Sequence, residues 1–154
     1  MAFGMTMFFS PVLSLHKAKI RHLYGEAYPN RGQEKAKLLS SLIDAPTITG
    51  VTCHLDDVFA GFILAQQSYA SGDIIEIITT PSFRRRGIAS GLLDAVTSLL
   101  QNNQIPELFL EVSADNYGAQ ALYIKNGFNS VGKRDRYYRR KDHFVDAIVM
   151  KKSL

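Results

Sequence analysis

A single cysteine, Cys53, is all the thiol chemistry this sequence offers. One thiol closes no internal disulfide, and such usage suits a reducing compartment, so a cytoplasmic protein is expected. His54 follows it directly, but adjacent strand residues point to opposite faces, which argues against a Cys–His catalytic pair and for a buried structural cysteine. His16, His22 and His143 have no metal-ligand spacing with one another or with Cys53, so no metal is expected. Long apolar runs are missing as well. Residues 1–15 are apolar, but Ser10-Pro11 interrupts them and no basic segment precedes the apolar run, as it would in a secretory signal. They read as an N-terminal core strand or a tail, and no membrane association is expected. The Gly-x-x-x-x-Gly-Lys spacing of a nucleotide P-loop is absent too.

With 154 residues, 46% of them hydrophobic and 21% charged, the chain has globular composition and length for one domain, 1–154, with a sizeable core. The net charge of +4 is a mild basic bias. It suits an anionic cofactor or a ribosomal neighbourhood and falls far short of a dedicated nucleic-acid binder.

Helical spacing runs over residues 15–28 (Leu15, Ala18, Leu23, Tyr24) and over 33–43 (Ala36, Leu39, Leu42, Ile43). Strands are expected over 47–54 and 58–69, parted by the turn Asp56-Asp57, and over 74–79 after Ser71-Gly72-Asp73. After Gly87, the residues Ile88, Leu92, Leu93, Val96, Leu99 and Leu100 form an amphipathic helical stripe that Asn102-Asn103 and Pro106 end. A strand over 107–112 follows, then a helix capped by Asp115 or Asn116 with Gly127 as its left-handed exit. Two closing strands, 128–132 and 146–151, are expected with a basic, tyrosine-bearing segment between them. This order describes a mixed sheet with helices on its faces.

Two stretches carry chemistry. The first is strand–loop–helix: Ile74 to Thr79, a loop broken by Pro81, and Arg84-Arg85-Arg86-Gly87-Ile88-Ala89 opening a helix. A helix start leaves backbone N–H groups free and carries partial positive charge, which suits an anion; the bland alternative is a solvated basic turn. The second is Leu110-Glu111-Val112, then Asn116, then Ala121-Leu122-Tyr123, then Gly127-Phe128. In this order and spacing the two stretches resemble the GCN5-related N-acetyltransferase (GNAT) family. Leu110-Glu111-Val112, Ala121-Leu122-Tyr123, Tyr137-Tyr138 and Asp146-Ala147-Ile148-Val149-Met150 are similar to the bacterial RimI type within it, which acetylates the N-terminal alanine of a small-subunit ribosomal protein. The resemblance spans residues 58–152, the expected cofactor core. The tryptophan often found in the N-terminal substrate loop is absent, with Tyr28-Pro29 as the candidate for its place.

The resemblance implies a GNAT fold, with a mostly antiparallel twisted sheet of six to seven strands flanked by about four helices. It implies acetyl transfer from acetyl-CoA to an amine by direct attack, with Glu111 as general base and Tyr123 as general acid. It places the strand edge Ile77, Ile78, Thr79 on the pantetheine arm, and Arg84, Arg85, Arg86, Gly87, Ile88, Ala89 and Ser90 on the pyrophosphate. Asn116 is placed on the CoA arm, and Tyr28, Tyr137 and Tyr138 beside the acceptor. Ser113 stands where some relatives carry Arg. The implied partner is the N-terminus of a small-subunit ribosomal protein.

Read without the family, Phe109 and Glu111 share one strand face, opposite Leu108, Leu110 and Val112. Glu111 is then either a partly desolvated base or a rim carboxylate with water access. Tyr123 is either an acid or a core aromatic beside Ala119 and Leu122. The basic run 133–141 is a solvated hairpin, an acceptor wall or an RNA contact. An α-amine (pKa about 7.7–8.0) is neutral far more often at pH 7 than a lysine (about 10.4), so a modest carboxylate base suits an N-terminal amine. The alternatives are a small amine or a lysine side chain as acceptor and, in another class, a non-catalytic acyl-CoA-binding regulatory domain.

Overall fold

The computed structural model describes residues 4–30 and 32–154. The elements run β1 (Met7–Pro11), α1 (Lys17–Ala27), α2 (Gln33–Leu42), β2 (Ile48–Leu55), β3 (Val58–Gln67), β4 (Gly72–Thr79), α3 (Ile88–Asn102), β5 (Glu107–Ser113), α4 (Tyr117–Lys125), β6 (Asn129–Arg139) and β7 (Phe144–Ser153). The strands form one seven-stranded sheet in the order β1-β2-β3-β4-β5-β7-β6. Every neighbouring pair is antiparallel except β4–β5, which is parallel. This is the mixed sheet with four flanking helices that the sequence implied.

Each face of the sheet buries its own core. On one face α3 lays Ile88, Leu92, Leu93, Val96 and Leu100 against Ile63, Leu108, Leu110 and Val112, with Tyr123 and Phe128 closing the layer. Those α3 positions recur at helical spacing, and a fully buried aliphatic side chain contributes about 1.5–3 kcal/mol. On the other face α1 and α2 bury Ile20, Leu23, Tyr24, Ala36 and Leu39 over Phe62, Leu64 and Ile78. Cys53 is fully buried, as expected, while His54 turns the other way toward Phe59 at 5.3 Å between ring centroids.

Two expectations need correction. The N-terminal strand is not a core strand: β1 is exposed along its length and forms one edge of the sheet. What was expected of residues 1–3 lies outside the described residues. The closing strands are also longer than 128–132 and 146–151, because most of the basic segment is itself strand in β6. Tyr137 and Tyr138 therefore stand on a strand rather than on a loop. The pairing with β7 slips between Ser130 and Gly132 and between Arg134 and Tyr138, and Arg136 takes φ 52°. An exposed edge strand with bulges has no apolar alternation to announce it.

Candidate active site

The site begins where the sheet comes apart. β4 and β5 pair only at Gly72–Leu108 and Asp73–Phe109, then separate. Their outer edges stay paired to β3 and to β7. Residue Ile75 is an extra residue in β4, since Ala65 faces Ile74 and Leu64 faces Glu76. A bulge bends and twists its strand, which turns β4 away from β5. The result is a slot of about 310 Å³ between two strand edges, lined by Ile74–Ile77 and Thr79 on one side and Leu110–Ser113 on the other. Backbone N–H and C=O groups on such edges need partners, and an extended, amide-bearing ligand would supply them.

At the far end of β4 the chain turns through Pro81–Phe83 and the three arginines into α3. Arg85 takes φ 65°, and Gly87, the residue before the helix, takes φ 84°, a left-handed conformation that glycine adopts at little cost. The first intrahelical bond runs from Gly91 N–H to Gly87 O at 3.0 Å, so the N–H groups of Ile88, Ala89 and Ser90 precede the ladder. Arg84, Arg85 and Arg86 are not buried, and Arg86 stacks on Phe83 at 5.5 Å. Ala89 lines the slot. The side chains of Ile78 and Ile88 lie in the two cores, so only their backbones are offered to a ligand. The Ser90 hydroxyl accepts a hydrogen bond from Asn126 at 3.1 Å, tying α3 to α4. Asn116 caps α4 by accepting from Ala119 N–H at 3.2 Å while lining the slot. Gly127 leaves α4 at φ 88°, as the sequence suggested.

Glu111 and Tyr123 meet in this slot from different elements, together with Tyr28 and Tyr138. Tyr123 is 8% exposed and packs edge-on against Phe128. Burial pushes its phenol well above the ordinary value, and Glu76, Tyr28 and Tyr138 add to the shift. Glu76 lies on the α1–α2 face with Ile78, whereas α4 lies on the opposite face, and both Glu76 and Tyr123 line the slot where the sheet splits. Glu111 stands on the α1–α2 face and forms an ion pair with Arg134 from β6. The Tyr138 hydroxyl lies 3.5 Å from the Glu111 carbonyl oxygen.

On that same face a groove of about 700 Å³ runs from Ser71 and Asp73 past Phe109 and Glu111 to Tyr137 and Tyr138. Arg140 clasps the β6–β7 hairpin to the end of β5, donating to the Ser113 hydroxyl at 2.9 Å and to Asp115 at 3.0 Å. These contacts hold the Asp115 carboxyl below its usual range, the Ser113 hydrogen bond contributing most and Arg140 next. Sequence reasoning missed Lys35, Asp73, Glu76, Arg134 and Arg140. For the acidic pair the available signal was a carboxylate, Glu76, in the middle of the apolar strand 74–79, with Asp73 in the turn before it. The basic run already held Arg134 and Arg140, but with no partner to tell them apart.

A strand pair that splits beside a helix N-terminus can hold an extended ligand ending in an anionic group, with a carboxylate and a phenol at the opening. The family profile described as Acetyltransferase (GNAT) family matches residues 17–128. The chain belongs to this family.

Among GNAT relatives, the [ribosomal protein bS18]-alanine N-acetyltransferase of Salmonella typhimurium is 36% identical over 95 residues, covering 62% of this chain and 64% of the relative. An N-alpha-acetyltransferase of Saccharolobus solfataricus is 36% identical over 84 residues, covering 54% of this chain and 48% of the relative. The chain thus spans less than two thirds of the length of these curated relatives. The crystal structure of the ribosomal-protein-S18-alanine N-acetyltransferase from Escherichia coli superposes with a TM-score of 0.84 at 24% identity, covering 96% of this chain and 94% of that one. This likeness establishes a shared GNAT fold. Among the described residues no helix is long and apolar enough to cross a membrane.

Proposed function

We propose that the chain, acting as one domain with its cofactor core over residues 58–152, is a cytoplasmic acetyl-CoA-dependent N-acetyltransferase. Its acceptor is the N-terminal α-amine of a protein, an alanine of a small-subunit ribosomal protein by analogy with the named relatives. The observation that carries this reading is the split between β4 and β5, which exposes two strand edges beside Glu111 and Tyr123.

The residues present fit acetyl-CoA. The edge of Ile77 and Thr79, with the Ile78 backbone, suits the amides of the pantetheine arm, and the N–H groups that open α3 suit its pyrophosphate. Arg84, Arg85 and Arg86 add positive charge there, and Asn116 offers its amide nitrogen to the arm. Acetyl-CoA supplies an activated acyl group as a thioester. Glu111 takes the proton from the acceptor ammonium or from the attacking amine as nitrogen bonds to the acetyl carbon. Tyr123, kept protonated by burial, donates its proton to the departing sulfur as the C–S bond breaks. The products are an amide and a free thiol, and both residues recover their protonation through solvent. Each such proton transfer is typically worth ~10²–10⁴-fold. Tyr28, Tyr137 and Tyr138 wall the acceptor's approach.

The deciding experiment is mass spectrometry of cellular N-termini with and without the protein. Loss of acetylation at one or a few α-amines is expected; unchanged N-termini together with lost acetylation of lysines or small amines would give the site to the other acceptor class.

A further inference from the structure

The net charge of +4 is not spread evenly over the chain. Residues 133–144, within the β6–β7 hairpin, hold six Lys and Arg against two Asp, while the rest of the chain has twelve cationic and twelve acidic residues. One hairpin therefore carries the whole excess. Part of its charge is engaged within the fold: Lys133 lies 3.1 Å from both Asp135 and Asp146, Arg134 pairs with Glu111, and Arg140 pairs with Asp115. Arg136, Arg139 and Lys141 stand exposed beside those pairs.

Backbone geometry gathers these three side chains. Arg136 sits in the bulge between Arg134 and Tyr138 at φ 52°, and its N–H donates to the Asp146 carboxylate at 2.8 Å. The turn closes with Arg140 N–H donating to the His143 carbonyl at 2.8 Å. Between bulge and turn lies an open hollow of about 530 Å³, lined by Arg136 and residues 139–144. It shares Arg140 with the slot and no residue with the groove, so it is a separate surface. Asp142 is the one carboxylate among its four cations. Phe144 also lines it, 47% exposed, with the Arg136 guanidinium 4.9 Å from its ring centroid.

Charge complementarity calls for a polyanion, and the ring says which. Arginine forks and lysine ammonium groups suit phosphate oxygens. An exposed ring beside a guanidinium offers a nucleobase a face to stack on, which the carboxylates of an acidic peptide do not use. An anionic bilayer is met by a segment with a broad apolar face, whereas Phe144 is the one apolar residue of the hollow. Asp142 repels phosphate, yet it can accept a hydrogen bond from a ribose 2′-hydroxyl, the group that separates RNA from DNA. We propose that the β6–β7 hairpin is a docking surface for single-stranded RNA, with phosphates on Arg136, Arg139 and Lys141 and one base on Phe144. This surface goes beyond the acetyl-transfer reading and does not depend on it.

The test is fluorescence anisotropy of the full chain with labelled single-stranded RNA of about twelve nucleotides, in saturating acetyl-CoA. A Kd on the order of 1–100 µM near physiological salt is expected, and three phosphate contacts give log K a slope of about −2 against log salt. Arg139→Ala combined with Lys141→Ala should weaken binding roughly tenfold and bring the slope to about −0.7. Phe144→Leu keeps an apolar side chain but removes the ring, and should weaken binding about fivefold or more. DNA of the same sequence should bind more weakly, and polyglutamate and phosphatidylserine vesicles should not compete. No RNA binding at about 100 µM protein, an affinity unmoved by either variant, or full competition by polyglutamate or vesicles would overturn the inference. Equal binding of DNA would overturn the assignment to RNA. RNA that binds only when acetyl-CoA is left out would belong to the arginine loop before α3 and would overturn the hairpin as its site. The acetyl-transfer reading is untouched by each of these results, because it is read from N-terminal acetylation.

Discussion

The two halves of the site are built in different ways. The half proposed to hold acetyl-CoA comes from contiguous stretches: β4, the arginine loop and the start of α3 in one run, β5 and α4 in another. The half proposed to face the acceptor is assembled from Tyr28 and Lys35 around the α1–α2 connection, Asp73 at the start of β4, Glu111 on β5, Arg134, Tyr137 and Tyr138 on an edge strand, and Arg140 just beyond it. The first half depends on backbone geometry that a short sequence dictates locally. The second depends on which distant side chains the sheet order brings side by side. A fold made this way can keep its acyl donor while its acceptor wall varies.

The sharpest cut between the halves is at their shared boundary. Glu111→Gln should lower kcat/KM by ~10²–10⁴-fold while calorimetric affinity for acetyl-CoA holds; unchanged turnover between about pH 6 and pH 9 would remove Glu111 from the base role. Next comes Tyr123→Phe. A loss of ~10²-fold in turnover with donor binding retained is expected for an acid. Loss of donor binding instead would make Tyr123 a packing residue of the cofactor half.

Arg140→Ala tests whether the clasp belongs to the acceptor side. It removes charge-assisted hydrogen bonds to Ser113 and Asp115, so KM for an acceptor peptide should rise about tenfold, with little change in acetyl-CoA affinity. The opposite pattern would assign Arg140 to the donor, replacing the arginine that some relatives carry at the Ser113 position. Gly87→Ala should reverse that pattern. A side chain at φ 84° costs about 1–2 kcal/mol, lowering the unfolding midpoint and weakening acetyl-CoA binding while acceptor KM stays put.

The smallest effect at neutral pH concerns Tyr123 as a buried phenol. Its pKa is raised in the fold, so the folded state holds the proton more tightly than the unfolded chain. The stability this represents is complete below the unfolded value of about 10 and is lost as pH rises above it toward the folded value, by up to about 1.4 kcal/mol per pH unit. Denaturation of wild type and Tyr123→Phe should therefore converge or cross as pH climbs past 10. Parallel curves would mean that the phenol titrates as if exposed.

The expected strands and helices stand where amphipathic period and turn residues put them, β4, α3, β5 and α4 most closely. Those elements bury a continuous stripe, and burial writes the period into the sequence. β6 was legible only in part because it buries almost nothing: its residues are polar, its pairing is bulged, and its strand character comes from β7. Glu111 and Tyr123 were reached through motif and spacing. Arg134, Asp73 and Glu76 were not, because an ion pair or its absence is a property of neighbours.

On its own the sequence determined a strand that runs into a glycine-opened helix, followed by a strand ending in Glu111 and a helix carrying Tyr123. Backbone sterics, free N–H groups and side-chain period act within a few residues, so a short stretch suffices to specify them. Only the tertiary structure decided that β4 and β5 part after two residue pairs, that Tyr123 and Glu111 line one slot at the gap, and that Glu111 and Glu76 are ion-paired to Arg134 and Lys35. Those outcomes depend on one bulge at Ile75 and on a sheet order that sets residues 35, 73, 111 and 134 side by side. Long-range pairing of this kind has no local period to reveal it.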